Sequence, residues 1–163
     1  MRVAVKLKEL PSDWASACRH ATTVLNGIFK AKHINVVLEA DGNTGPIISV
    51  QADPSIVGLH GHTTAESNNN MLTAADVHLP GNPLVSTPAR VRKPGSGVLQ
   101  VIAAHEFVHA LGQTDHDSHL MTWKMDVAAD NTPSGDKLRA GAILLPPIIL
   151  SEDSIALLRS IWP

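Results

Sequence analysis

The sequence predicts a single α+β domain spanning residues 1–163, and three observations carry that prediction. Residues 2–7 alternate apolar and charged side chains, as in a half-buried strand, and residues 14–28 then repeat apolar side chains at helical spacing. Further β-prone runs occur at 34–38, 47–50 and 75–79. The second half carries two helical segments, an apolar one leading into His105 and a capped one opening at Ser151. A chain of 163 residues with 44% apolar content is one domain's length and can bury a substantial core.

Taken in order, Pro11-Ser12-Asp13 open the first helix. Trp14, Ala17, Cys18, Ala21, Val24, Leu25 and Ile28 form its apolar stripe. Cys18 lies on that stripe and reads as a core residue. As the chain's only cysteine, it excludes an intramolecular disulfide. The strand at 34–38 ends at Asp41-Gly42-Asn43. Residues 58–70 are polar and glycine-containing and read as a loop. The strand at 75–79 stops at Pro80-Gly81-Asn82-Pro83. A Pro-, Gly- and Ser-rich stretch, 80–97, leads into the central helix, with Ser96 as its expected cap. Val98, Leu99, Val101, Ile102, Ala103 and Ala104 make the first half of that helix apolar nearly all round, so it should be buried.

The helix continues as His105-Glu106-Phe107-Val108-His109, the pattern H-E-x-x-H. Side chains four apart share a helical face, so His105 and His109 can hold one zinc ion, and Glu106 can reach water beside it. The bare motif also arises by chance, so the residues after it carry weight. Gly112 can end the helix in a left-handed turn without a Cβ penalty. The reversed chain then brings Asp115 or His116 back toward the metal, and both are suitable zinc ligands.

This stretch resembles the signature of the metzincin zinc peptidases, H-E-x-x-H-x-x-G-x-x-H with a methionine turn beyond it. The departure is at the third ligand. Asp115 holds the position of the expected histidine, as in the snapalysin branch, and His116 comes one residue later, as in a matrixin site with one inserted residue. His116 is the preferred ligand, with Asp115 the alternative. Met121 resembles the methionine-turn residue, with Met125 as the fallback because the gap from the third ligand is short. The resemblance implies a twisted mixed sheet with a backing helix, a zinc-binding helix and a C-terminal helix. It also implies zinc as cofactor, Glu106 as general base, and a protein or peptide substrate cleaved internally. It makes the strand at 75–79 the antiparallel sheet edge to which an extended substrate adds. The connection 122–149, with its tip at 130–135, is expected to wall the specificity pocket near 122–126 and 141–147. The chain has no tyrosine, so the tyrosine ligand of some metzincins is excluded.

In the last helix, Ser151 is the expected N-cap and Glu152 and Asp153 favour the helix dipole. Leu150 is placed to pack on Ile155, and Ile155, Leu158 and Ile161 or Trp162 to face the core. His60, His62 and His78 read first as polar loop or edge residues and second as a structural metal site. His119 reads as exposed or adjacent to the site, and His20 and His33 as surface residues. Two other readings stay open. Glu152, or one of Asp117, Asp126, Asp130, Asp136 and Asp153, can serve as a distant third ligand in a gluzincin- or aspzincin-type peptidase. Alternatively, the domain keeps zinc only for stability, as a non-catalytic binding module, although a structural site usually has four protein ligands.

A formal charge of −2 gives no pull toward nucleic acid or an anionic membrane surface, and the cluster Arg90-Val91-Arg92-Lys93 reads as a solvated loop. Lys6, Lys8, Glu9 and Pro11 break any signal-peptide pattern, and no run reaches the ~20 apolar residues of a membrane span. No pro-segment or cysteine switch is visible. A monomer is expected, either cytoplasmic or released by a non-classical route.

Overall fold

In the computed structural model, residues 1–7, 9–69, 71–86, 91–127 and 137–163 are described. The chain opens with β1 (Arg2–Lys6), α1 (Ser12–Ala31), β2 (Val37–Ala40) and β3 (Ile47–Asp53). Then come β4 (His62–Asn68) and β5 (Met71–Pro80). These five strands form one sheet in the order β2-β1-β3-β5-β4. All neighbours run parallel except β4, which pairs antiparallel with β5 along the edge. Short pairs β6 (Val85–Ser86) and β7 (Val91–Arg92) precede α2 (Ser96–Ala110). After it come β8 (Asp126–Val127), β9 (Leu138–Ala140), β10 (Ile143–Leu145) and α3 (Glu152–Ile161), with β8 to β10 forming a second small sheet. The result is a mixed α/β domain with a mixed sheet and, among the described residues, three α-helices. None of those helices is long and apolar enough to cross a membrane.

β1 is covered on both faces, not half-buried as its alternation suggested. Val3, Ala4 and Val5 are fully buried, and the charges stand only at its ends. There Arg2 reaches Glu39 at 2.7 Å and Lys6 reaches Asn43 Oδ1 at 2.7 Å. Parallel strands are commonly buried in this way. α1 packs against β2 and α2 through Trp14, Ala17, Cys18, Ala21, Leu25 and Phe29, with Val24 and Ile28 at the margin. Burial pushes the Cys18 thiol up to about 12, so it stays protonated and packs as an apolar group. The Trp14 indole N–H donates to Pro80 O at 2.9 Å and ties α1 to the end of β5.

Three sequence expectations are corrected. The run 34–38 pairs only from Val37 onward. His33 ends α1 with φ 56, and the chain is then held by Ile34 N–H to Phe29 O and Asn35 N–H to Trp162 O. Ile34 and Val36 are therefore buried as connectors and do not extend the strand. The segment 58–70, read as a loop, contains β4. Nearly every β4 side chain faces solvent, so no apolar alternation marks it, and its pairing comes from the β5 backbone. β5 is consequently internal, longer than 75–79, and not the sheet edge.

The two sheet edges differ. At β2 the Asn26 side chain donates to Leu38 O and accepts from Leu38 N–H, both at 2.8 Å. A side-chain amide thus takes the place of another strand there. The outer edge of β4 has no strand partner among the described residues.

α2 starts at Ser96 with Gly95 as N-cap, and no side chain caps it, so Ser96 is the first helical residue and not the cap. From Val98 to Val108 every residue but Gln100 is buried, as the composition requires. It packs against α1, β4 and β5. α3 begins as expected: Ser151 Oγ accepts from the Ser154 N–H at 2.9 Å, and Leu150, Ile155, Leu158 and Trp162 are buried.

Candidate metal centre

Three imidazoles meet where α2 ends. His105 and His109 project from one face of the helix. The last turn closes as a Schellman motif, with Gln113 N–H bonded to Val108 O and Gly112 N–H to His109 O. Gly112 has φ +110, which a side chain would strain, and a Cβ there would lie 3.0 Å from Ile161 Cδ1 on α3. The reversal carries His116 back. His109 Nε2 lies 3.0 Å from His105 Nε2 and 3.3 Å from His116 Nε2. The three form the only group of three or more His, Cys, Asp or Glu among the described residues close enough to hold a metal ion.

Their outward nitrogens are fixed by backbone. His105 Nδ1 donates to Leu120 O at 2.7 Å, and His109 Nδ1 to Gln113 O at 2.5 Å. With the protons held on Nδ1, the Nε2 lone pairs of both rings face inward. Bare acceptors this close repel one another unless a cation lies between them.

His105 is buried, His109 half-buried and His116 the most open of the three. Burial is the main cause of the fall of His105 from 6.5 to about 4; the Leu120 bond resists, and the neighbouring imidazoles add to the fall. Burial also lowers His109 and His116. Metal-free protein should therefore show a specific acid response. The unfolded chain takes up a proton on this imidazole near 6.5, whereas the folded chain resists until about 4. Its contribution to stability is complete above 6.5 and is lost as pH falls through about 4. Thermal melts of chelated protein across that window should show a falling Tm, and a flat Tm would contradict this.

Asp115 does not join the group. It is exposed, and its main-chain carbonyl accepts from Gln113 Nε2 at 3.3 Å. The other carboxylates proposed as distant ligands are mostly engaged elsewhere. Glu152 pairs with Lys32 at 3.1 Å. Asp117 accepts from Ser154 Oγ at 2.8 Å, from Ser151 Oγ and from the Ser118 N–H. Burial alone would raise Asp117, but these bonds and one from Gln113 outweigh it and hold its carboxyl below the ordinary range. Asp117 thus ties the chain just beyond His116 to the start of α3. Asp153 is exposed in the first turn of α3, Asp126 lines the cleft outside the group, and Asp130 and Asp136 lie outside the described residues.

Glu106 is 3% exposed. Thr63 Oγ1 on β4 donates to its Oε2 at 2.6 Å, and the Gly61 N–H also bonds its carboxylate. Burial pushes its pKa upward, and these two bonds with His60 and His62 only partly offset the rise. Met121 is fully buried in a single 3-10 turn, His119–Met121, which packs against α2 and supplies the Leu120 carbonyl that holds His105. Met125 is half-buried and lines the cleft instead.

The centre opens into a cleft of about 840 Å³. β4 borders it through His62, Thr63 and Ala65, and Trp123, Lys124 and Met125 also line it. Trp123 is 75% exposed and packs edge-on to His116 with ring centroids 4.8 Å apart. The tip expected at 130–135, like Arg90 of the basic cluster, lies outside the described residues.

His60, His62 and His78 do not gather into a second metal group. His78 turns to Asp53 Oδ2 at 3.4 Å and to Gln51, whereas His60 and His62 line the cleft. His119 bonds Ser118 Oγ at 2.8 Å and stays outside the centre. His20 and His33 are exposed. Of the stretch 122–126 expected to wall a pocket, residues 123–126 line the cleft, whereas sequence reasoning missed Gly61, Thr63 and the anchoring role of Asp117. The β-prone Thr63-Thr64 pair after a glycine was the only signal for the first two. No family model and no curated protein matches the chain.

Proposed function

We propose that the protein is a zinc-dependent endopeptidase of metzincin type. The observation that carries this reading is the convergence of the three Nε2 atoms beside a buried glutamate in an open cleft. The donor set fits zinc. Tetrahedral Zn–N bonds of 2.0–2.1 Å place ligand nitrogens about 3.3 Å apart, close to the 3.0 and 3.3 Å separations found here. Three protein ligands leave a position open, as catalytic sites do and structural sites do not. His105, His109 and His116 would hold the ion, which when bound supplies a Lewis acid that polarises a carbonyl and acidifies water.

The rest of the chemistry belongs to the chain. Glu106 takes the proton of the attacking water and delivers it to the leaving amine. The raised pKa of its buried carboxyl suits a group that must both accept and release a proton. The outer edge of β4, which has no strand partner among the described residues, offers backbone N–H and C=O groups to an extended peptide along the cleft. Trp123 and Met125, which line the same cleft, supply apolar contact for a substrate side chain. The chain has no tyrosine to meet the developing negative charge, so that role would fall to the ion held by the three imidazoles.

The test is cleavage of a mixed peptide library by zinc-loaded protein. A chelator should abolish cleavage and added zinc restore it, with cut sites showing a preference next to the scissile bond. A zinc-loaded, folded protein that cuts no peptide in the library would refute the reading.

A further inference from the structure

A catalytic glutamate must hold its carboxylate at one place. A buried side chain one position along a helix from a metal ligand has rotamers that point it elsewhere. Here the constraint comes from outside the helix. Thr63, 43 residues earlier in the chain, sends its hydroxyl across from β4 to Glu106 Oε2 at 2.6 Å. The same hydroxyl is 3.4 Å from the Glu106 main-chain carbonyl. It has one hydrogen, and the shorter contact to a carboxylate takes it. The second contact comes from the Gly61 N–H, two residues back on the same segment. No side chain fits at that position: a Cβ on Gly61 would lie 2.8 Å from Glu106 Cδ, from Glu106 Cγ and from His78 O. Backbone and hydroxyl therefore both meet the glutamate from the segment 61–63 and donate to it, and Glu106 lines the same cleft as the three imidazoles.

We infer that Thr63 is a positioning residue for the Glu106 carboxylate, acting with the Gly61 N–H as a two-point clamp on the edge strand. This rests on the reading of Glu106 as the base of a peptidase. It adds that the strand offered to the substrate is also the strand that aims the base. Thr63 is not one of the three imidazole residues, and its hydroxyl is engaged by Glu106, so removing that hydroxyl acts through Glu106.

The test compares Thr63→Val and Thr63→Ser in zinc-loaded protein. Valine keeps the shape and β-propensity of threonine and removes only the hydroxyl. Thr63→Val should keep zinc content and KM and lower kcat by roughly tenfold to a hundredfold, as small misplacements of a reacting group do. Thr63→Ser should restore most of the loss, which a merely structural role would not predict. A second readout needs no turnover. In protein labelled with ¹³C at the glutamate carboxyls, the resonance assigned through Glu106→Gln should shift in Thr63→Val and return in Thr63→Ser. An unmoved resonance, or full kcat in Thr63→Val while Glu106→Gln is inactive, overturns the clamp and leaves the peptidase reading standing. A wild-type protein that cuts nothing overturns the peptidase reading, and the clamp's catalytic role falls with it.

Discussion

Glu106→Gln should lower peptide turnover by at least about 10²–10⁴-fold, the contribution typical of a positioned acid–base group. Glutamine has the same shape, and its carbonyl oxygen can still accept from Thr63. It cannot take up and return a proton. The substitution also removes a carboxylate that burial already disfavours, so the variant should melt at the same temperature as wild type or higher. Zinc content should not change, because the three imidazoles and their backbone partners are untouched. The measurements are kcat on a peptide chosen from the library, metal content and Tm. Turnover within a few-fold of wild type would remove Glu106 from the mechanism. Loss of zinc together with turnover would show a structural part instead.

The second large effect separates two adjacent residues. His116→Ala should weaken zinc binding by more than the roughly 10–100-fold that changes outside the ligand shell cost. Asp115→Ala should bind nearly as wild type. The reason is geometric: His116 Nε2 lies 3.3 Å from His109 Nε2, whereas the Asp115 side chain is outside the cluster. Competition with a chromophoric chelator measures both affinities. Strong loss in Asp115→Ala with little in His116→Ala would reverse the assignment.

How far each element is legible in the sequence depends on where its signal resides. The central helix was legible because its burial is written in an uninterrupted apolar run, and its two histidines share a face by helical spacing alone. The turn after it was legible because Gly112 has a backbone conformation that other residues avoid. The choice between Asp115 and His116 was not, since one residue of slack in a turn changes which side chain points back, and spacing cannot register that. β4 escaped notice for a different reason. Its side chains are solvent-facing and its stability lies in backbone pairing, which leaves no hydrophobic pattern. Missing that strand also hid the clamp, because Thr63 acquires its meaning only when β4 is laid against α2.

The amide of Asn26 has a consequence for assembly. A sheet with two open edges can add copies of itself at both ends and grow without limit. A sheet with one open edge can join at most one partner, edge to edge, and growth then stops. By occupying both backbone groups of Leu38, Asn26 denies that residue of the β2 edge to a further strand. The β2 edge is therefore a poorer template for strand addition than the outer edge of β4, which has no strand partner among the described residues.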